Sequence, residues 1–257
     1  MDYEQFKSQI LSLTKIDLNA YKERQMKRRI DALIAKNKYP GYREYVDAIK
    51  TNNRLFEEFV NYLTINVSEF WRNPEQWKVL EQEIFPELIK SFGKNLKIWS
   101  AACSTGDEPY SLVMLLSKFV PLNKISIIAT DIDKQVLEKA RAGLYNQKSI
   151  AGLPQEFKDK YFTKIGMSNY QISDEIKKCV EFKQGNLLED KYPVNMDLIV
   201  CRNVLIYFTD EAKTEVYRKF NASLKKGGVL FVGSTEQIIN YRDLNYQSCR
   251  SFFYKKI

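Results

Sequence analysis

The sequence contains no histidine. That absence removes the commonest general base and the commonest zinc ligand. Hydrolytic triads and histidine-bearing metal sites are therefore excluded, and chemistry is left to carboxylates, arginine, lysine, tyrosine or a bound cofactor. Long apolar runs are missing as well. None approaches the roughly 18 residues that a membrane span needs, and residues 1–10 lack the basic-then-apolar plan of a signal peptide. Cysteine is sparse: Cys103, Cys179, Cys201 and Cys249 lie far apart and form no C-x-x-C pair. They read as reduced thiols of a cytoplasmic protein. Against these absences, 44% of the 257 residues are apolar and 13% aromatic, enough for one large packed domain or a large domain with a small companion. The net charge of +8 implies an acidic partner: nucleic acid, an anionic membrane or an acidic protein surface.

The first 75 or so residues read as helices. Phe6, Ile10 and Leu13 share a face at helical spacing, as do Phe56, Phe59, Val60 and Leu63, and Pro40-Gly41 breaks the pattern. From Lys97 the rhythm changes to strand (97–100), helix (109–119), strand (125–130) and helix (134–142), which predicts an α/β fold with a doubly wound, mostly parallel sheet. Residues 146–183 interrupt it. Segments 161–166, 169–173 and 180–183 read as a small antiparallel excursion with turns at Gly166 and Ser173-Asp174. The α/β pattern resumes at 197–202, continues with a helix after Thr209-Asp210 and a strand at 229–232, and ends with a strand at 252–254. The expected organisation is a helical region with linker over 1–75 and an α/β domain over 76–257, interrupted by the insert at about 146–183.

The loop Ser100-Ala-Ala-Cys-Ser-Thr-Gly-Asp-Glu-Pro-Tyr110 follows the first strand and opens a helix, where α/β sheets bind nucleotides. It has one glycine, no G-x-G-x-x-G or G-K-[ST] pattern and no lysine, but carries Asp107 and Glu108. Carboxylates there suit a cationic ligand better than a pyrophosphate. S-adenosylmethionine, with an ammonium and a sulfonium, has the right sign. The alternative is that both acids simply favour the helix N-terminus. Asp131, after the second strand, stands where an acid hydrogen-bonds ribose hydroxyls. Asp133 is the alternative helix cap.

Five segments in order resemble one family: Asn66-Val-Ser-Glu-Phe-Trp-Arg72, Trp99-Ser-Ala-Ala-Cys-Ser-Thr-Gly-Asp-Glu-Pro-Tyr-Ser111, Ala129-Thr-Asp-Ile-Asp133, Gly185-Asn-Leu-Leu-Glu189 and Cys201-Arg-Asn-Val-Leu-Ile-Tyr-Phe208. They look like the successive motifs of CheR, the chemotaxis receptor glutamate O-methyltransferase, and the resemblance covers nearly the whole chain. It implies the class I S-adenosylmethionine-dependent methyltransferase fold, with a helical N-terminal domain and a β-subdomain insert. It also implies methyl transfer from S-adenosylmethionine to receptor glutamates, giving methyl esters and S-adenosylhomocysteine for sensory adaptation, with no metal. Asn66, Ser68 and Arg72 would close over the cofactor. Ala102 would lie against it, Glu108 would hold its amino group and Asp131 its ribose hydroxyls. Asn186 and Leu187 would flank the adenine, and Cys201, Arg202 and Asn203 would line the methionine end. Arg72 and Tyr207 would lie nearest the transferring methyl. Ser68 and Trp71 stand where many relatives have Thr and Phe, changes that keep the hydroxyl and the aromatic face.

A receptor glutamate is already ionised at neutral pH, so the reaction needs no general base, in keeping with the missing histidine. The positive charge also finds a use. With Met26, Ile30, Leu33 and Ile34 as the buried stripe of a helix, Arg24, Lys27 and Arg28 fall on the opposite face. They form a candidate docking surface for the acidic cytoplasmic helices of chemoreceptors, with neither nucleic acid nor membrane insertion as partner. Two rival readings are weighed. An RNA methyltransferase agrees with a pI near 9.1, but Arg202-Asn203-Val204 stands where base N-methylation often uses an Asn/Asp-Pro-Pro-aromatic motif. A non-enzymatic sensor would keep Glu108 and Asp131 while losing Arg72 and Tyr207, and both are present.

Overall fold

Two of the four N-terminal helices start at side chains that satisfy free backbone N–H groups. In the computed structural model, which describes residues 1–257, α1 (Tyr3–Thr14) opens with a capping box in which Asp2 and Gln5 bond each other's backbone N–H. Helix α2 (Glu23–Lys36) buries Met26, Ile30, Leu33 and Ile34, the expected stripe. Helices α3 (Tyr42–Thr51) and α4 (Asn53–Thr64) follow, the second capped by the Asn52 side chain. Phe6, Ile10, Ile30, Leu33, Tyr45, Val46 and Phe59 are fully buried and form the core of this unit.

The chain divides into two compact units, Met1–Asn66 with Val204–Glu215, and Val67–Asn203 with Val216–Ile257. The later segment of the first unit is tied to the chain just before α2. Tyr21 and Phe208 form an antiparallel bridge with rings 4.9 Å apart. Lys22 N donates to the Tyr207 carbonyl at 2.9 Å, and Thr209 N donates to the Ala20 carbonyl at 2.8 Å.

The second unit opens with α5 (Pro74–Val79), which runs through a π-helical turn at Leu80–Ile84 into α6 (Phe85–Phe92). Strand β1 (Ile98–Ala101), α7 (Asp107–Leu116), β2 (Ile127–Asp131) and α8 (Lys134–Ala142) then alternate. The insert contributes β3 (Leu144–Asn146), α9 (Gln155–Tyr161), β4 (Phe162–Ile165), β5 (Asn169–Ile172) and the short α10 (Asp174–Lys177). Strand β6 (Val180–Gln184), β7 (Met196–Cys201), α11 (Asp210–Ser223), β8 (Leu224–Val232), β9 (Tyr246–Arg250) and β10 (Phe253–Lys256) complete the chain. Seven strands form one sheet in the order β6-β2-β1-β7-β8-β10-β9. The first five are mutually parallel and β10 runs antiparallel to both its neighbours. Every residue of β1 and β7 is buried, as expected of central parallel strands covered on both faces. This is the doubly wound, mostly parallel α/β architecture that the strand–helix alternation predicts.

One strand sits elsewhere than the sequence pattern suggests. Val180–Gln184 is not part of the antiparallel excursion. It is the edge of the main sheet, parallel to β2 from Ile127↔Val180 to Asp131↔Gln184. The small sheet is completed instead by Leu144–Asn146, in the order β3-β5-β4. Alternation along Val180-Glu-Phe-Lys183 reports one half-exposed face and does not say which sheet the strand joins. No helix is long and apolar enough to cross a membrane.

Gly106 makes the packing of α7 possible. Its φ is +87°, and a Cβ there would lie 2.9 Å from the Ala140 Cβ and 3.1 Å from the Tyr110 ring. Replacing it forces both a left-handed backbone and a wedge between α7 and α8. Gly106→Ala is expected to destabilise the fold by about 2 kcal/mol or more, lowering the thermal midpoint by about 5 °C. Differential scanning calorimetry checks this, and an unchanged midpoint would contradict the packing argument.

Candidate active site

The loop leaving β1 is held in a backbone conformation that L-residues rarely adopt. Ala102 and Ser104 have φ of +63° and +49°, which costs of order 1 kcal/mol each for non-glycine residues. Neighbouring strands hold them there. Cys103 N donates to the Thr130 carbonyl at 2.9 Å, and Ser104 N donates to Asp131 Oδ2 at 2.8 Å. Asp131 Oδ1 accepts from Asp133 N at 3.0 Å. Each Asp131 oxygen thus accepts one backbone N–H and retains a lone pair. Burial pushes the Asp131 carboxyl up to about 6, opposed by these same N–H donors. Asp133 is committed otherwise, capping α8 through Gln135 N at 2.8 Å.

Neither acid of the loop is the helix cap. Gly106 holds that position. Asp107 is buried and accepts from the Thr105 hydroxyl at 2.5 Å. Burial raises its pKa, against the hydroxyls of Thr105 and Ser68. Glu108 accepts from the Ser100 hydroxyl at 2.9 Å and faces Arg202 Nη1 at 3.7 Å. Burial raises the Glu108 pKa, and Arg202 is the main opposing influence.

Arg202 is itself 7% exposed. Its Nη2 donates to the Arg72 carbonyl, Asn73 Oδ1 and Gln76 Oε1, each at 2.9 Å. Its guanidinium carbon lies 4.8 Å from the Phe231 ring centroid. Burial lowers its pKa, chiefly opposed by Glu108. Its two terminal nitrogens are therefore turned to Glu108 and to the linker segment between Val67 and Gln76, while Nε is buried without a partner. That linker is pinned throughout. Phe70 N donates to the Ser149 carbonyl at 3.1 Å, and the Phe70 ring meets Tyr145 and Phe162 of the insert. Trp71 stacks on Trp77 at 4.8 Å. Trp71 and Asn73, on either side of Arg72, have φ of +58° and +61°. Arg72 is half-buried, and its charge lowers the Glu108 pKa.

One buried acid escapes the motif reading. Glu236, 5% exposed, follows β8 in a segment without an evident pattern. Its Oε2 accepts from Asn203 N at 2.6 Å and from Gly233 N at 2.9 Å. Asn203 is left-handed at φ +61°, and its Oδ1 is buried without a partner. The sole sequence signal is a glutamate three residues after the glycine that follows β8. Counting it, three buried carboxylates (Asp107, Asp131 and Glu236) and the partly covered Glu108 lie at the end of the sheet against one buried guanidinium, Arg202, apart from buried Asp133, which caps α8. Cys103 and Cys201 are buried, and burial raises both thiols well above their ordinary range. Neither is an activated nucleophile.

Ser68, Arg72, Ala102, Glu108, Asp131, Asn186, Leu187 and Cys201–Asn203 all belong to the second unit. Asn186 shapes its own loop, with its N–H on Asp190 Oδ2 at 2.7 Å and its Oδ1 accepting from Leu188 N at 3.0 Å. Leu187 is buried. Asn66 and Tyr207 belong to the first unit, where Tyr207 ends a 3-10 turn and is half-buried. Arg24, Lys27 and Arg28 lie on α2 of that unit. Arg24 and Arg28 are exposed, whereas Lys27 is partly covered and paired with Asp31 at 3.0 Å.

Comparison with known proteins agrees with this geometry. Residues 66–252 match the family model described as CheR methyltransferase, SAM binding domain, and residues 1–64 match CheR methyltransferase, all-alpha domain. A chemotaxis protein methyltransferase from Listeria innocua is 43% identical over 94% of this chain and 92% of its own length. Chemotaxis protein methyltransferase 1 of Pseudomonas aeruginosa is 35% identical over 96% of this chain and 93% of its own. A chemotaxis protein methyltransferase of Borreliella burgdorferi is 33% identical over 90% of this chain and 86% of its own. An S-adenosylmethionine-dependent methyltransferase fold, a lysine-free acidic loop at the sheet's carboxyl end and these likenesses together establish that the chain belongs to the CheR methyltransferase family.

Proposed function

We propose that this protein methylates glutamate side chains on the cytoplasmic helices of chemoreceptors, with Asp131 and Glu108 holding the ribose and ammonium groups of the methyl donor. The observation that carries the site assignment is the excess of buried carboxylate over buried cation at the end of the sheet. Buried charge is costly unless it is balanced, and a ligand with an ammonium and a sulfonium supplies the missing positive charge. Bound S-adenosylmethionine would supply a sulfonium methyl: a glutamate oxygen would bond to its carbon in line as the carbon–sulfur bond breaks, the electron pair leaving with the sulfur of S-adenosylhomocysteine. The chain's residues hold and screen the reactants. Asp131 keeps one lone pair on each oxygen for a pair of hydroxyl donors. Glu108, fixed by Ser100, offers a carboxylate to an ammonium. Asn186 and Leu187 flank the adenine, and Ala102 and the Cys201–Asn203 turn close the methionine end. Ser68 borders the site from the linker and Arg72 orients the reacting groups, while Asn66 and Tyr207 are candidate contacts on the family resemblance alone. No proton moves, so rate enhancement rests on positioning and on exclusion of water. Arg24 and Arg28 steer the acidic receptor helix, with Lys27 contributing less because Asp31 already offsets it.

Three outcomes are expected. First, label transferred from methyl-labelled donor to receptor-containing membranes should be released as methanol by mild alkali. Alkali-stable label would refute a carboxyl ester. Second, donor affinity should rise with pH through about 6 and then level off, because the Asp131 carboxyl, held up to about 6 by burial, accepts two hydroxyls fully only when ionised. The same shift makes the free protein lose stability as pH rises from the ordinary 3.8 through about 6, since the folded state binds that proton more tightly. Asp131→Asn should flatten the affinity profile measured by calorimetry, and a profile unchanged by that substitution would remove Asp131 from the ribose site. Third, Arg24→Glu with Arg28→Glu should lower receptor methylation at physiological salt by about tenfold while leaving donor affinity intact. Loss of donor binding in that double variant would contradict a docking role.

A further inference from the structure

Glu236 has no place in the motifs that point to the site, yet it is built into the turn that carries Asn203. A single oxygen, Oε2, receives Asn203 N at 2.6 Å and Gly233 N at 2.9 Å, so one carboxylate joins the residues just beyond the ends of adjacent strands β7 and β8. The approach is close enough to demand glycine at 233, where a Cβ would lie 2.5 Å from Glu236 Oε2 and 2.8 Å from Asn203 N. Glu236 is also fixed at its backbone, with its N–H on the Gly233 carbonyl at 3.0 Å and its carbonyl accepting from the Tyr217 hydroxyl at 3.4 Å.

What this anchor holds is a strained residue with an unspent group. Asn203 is left-handed, a conformation that asparagine tolerates but does not prefer. Its Oδ1 is buried and unpaired, a cost that an arriving hydrogen-bond donor would relieve. The preceding residue is Arg202, whose guanidinium meets Glu108, and the Glu236 charge raises the Glu108 pKa. A charged hydrogen-bond acceptor that fixes a backbone N–H while leaving the neighbouring side-chain acceptor open is a preorganising device.

We propose that Glu236 is a positioning residue for methyl-donor binding. It locks Asn203 in its left-handed turn so that the Asn203 amide oxygen is presented to the donor, without touching the donor itself. This rests on the placing of Asn203 in the donor site, and the test separates the two claims. Donor and S-adenosylhomocysteine affinities are measured by calorimetry for Asn203→Gly, Glu236→Ala, the double variant, Glu236→Gln and Gly233→Ala, with thermal midpoints and with KM for donor and for receptor. Asn203→Gly should weaken donor binding about tenfold. If it does not, the site reading fails. Glu236→Ala should weaken donor binding by a similar factor, raising the KM for donor but not for receptor. The double variant should be no weaker than Asn203→Gly alone, since nothing remains to be positioned. Multiplicative losses, or a Glu236→Ala protein with wild-type donor affinity, would overturn the proposal while leaving the Asn203 assignment standing. Glu236→Gln keeps an oxygen that accepts both N–H groups and should bind donor within about threefold of wild type. Gly233→Ala, which displaces the carboxylate but keeps its charge, should reproduce the loss. If the alanine variants fail to fold, Glu236→Gln decides: a tenfold loss there would mean that charge rather than the held turn matters, and would overturn the proposal.

Discussion

The arrangement at the end of the sheet depends on one buried cation. Arg202 extends from the end of β7, faces Glu108 of α7, and spends Nη2 on three oxygens of the Val67–Gln76 linker. A guanidinium taken out of water is costly, and three hydrogen bonds, a carboxylate and the Phe231 ring are what offset the cost. The consequence is mechanical. The linker bearing Ser68 and Arg72 is not a loose tether, because the Arg72 carbonyl and the Asn73 and Gln76 side-chain oxygens are the acceptors for Arg202. Removing one partner would leave an uncompensated buried charge, so sheet, α7 and linker are constrained to agree with one another. Lysine would not replace it, since its compact ammonium lacks the planar fork that spans Glu108 and the linker together.

A second constraint acts within the helical unit. The segment after Asn203 leaves the sheet and pairs with the stretch just before α2, through the Tyr21–Phe208 bridge and the bond from Lys22 N to the Tyr207 carbonyl. Tyr207 is therefore anchored directly at the start of the basic helix.

Much of this was legible in the sequence, because local chemistry and global fold agree over most of the chain. The α2 stripe, the strand–helix alternation from Lys97 and the acidic loop all carry their meaning in periodicity or charge. The misplaced strand at Val180 shows where periodicity stops, since alternation defines a face and not a partner. The choice between Asp131 and Asp133 was open until the hydrogen bonds committed Asp133 to the cap of α8. Arg202 reads from its motif as a ligand contact, but its orientation toward the linker depends on Gln76, Asn73 and the Arg72 carbonyl, about 130 residues away along the chain. Glu236 was invisible for the same reason. Its significance comes from the adjacency of β7 and β8, which no local pattern encodes.

The sign of the charge differs between the surface and the interior, and the difference bears on how two negative partners can share one site. The chain carries +8 overall, while the sheet's carboxyl end holds the buried Asp107, Asp131 and Glu236 and the partly covered Glu108 against Arg202. A receptor glutamate drawn in by the positive exterior would meet a repulsive interior if the methyl donor were absent. On the proposed reading the donor's ammonium and sulfonium offset that repulsion, so a carboxylate is accepted at the reacting centre only beside its methyl source. The carboxylate excess then serves two ends at once. It selects a cationic donor, and it keeps the acceptor site unfavourable until that donor is in place. On that reading neither task calls for a titrating base, in keeping with a chain that has no histidine.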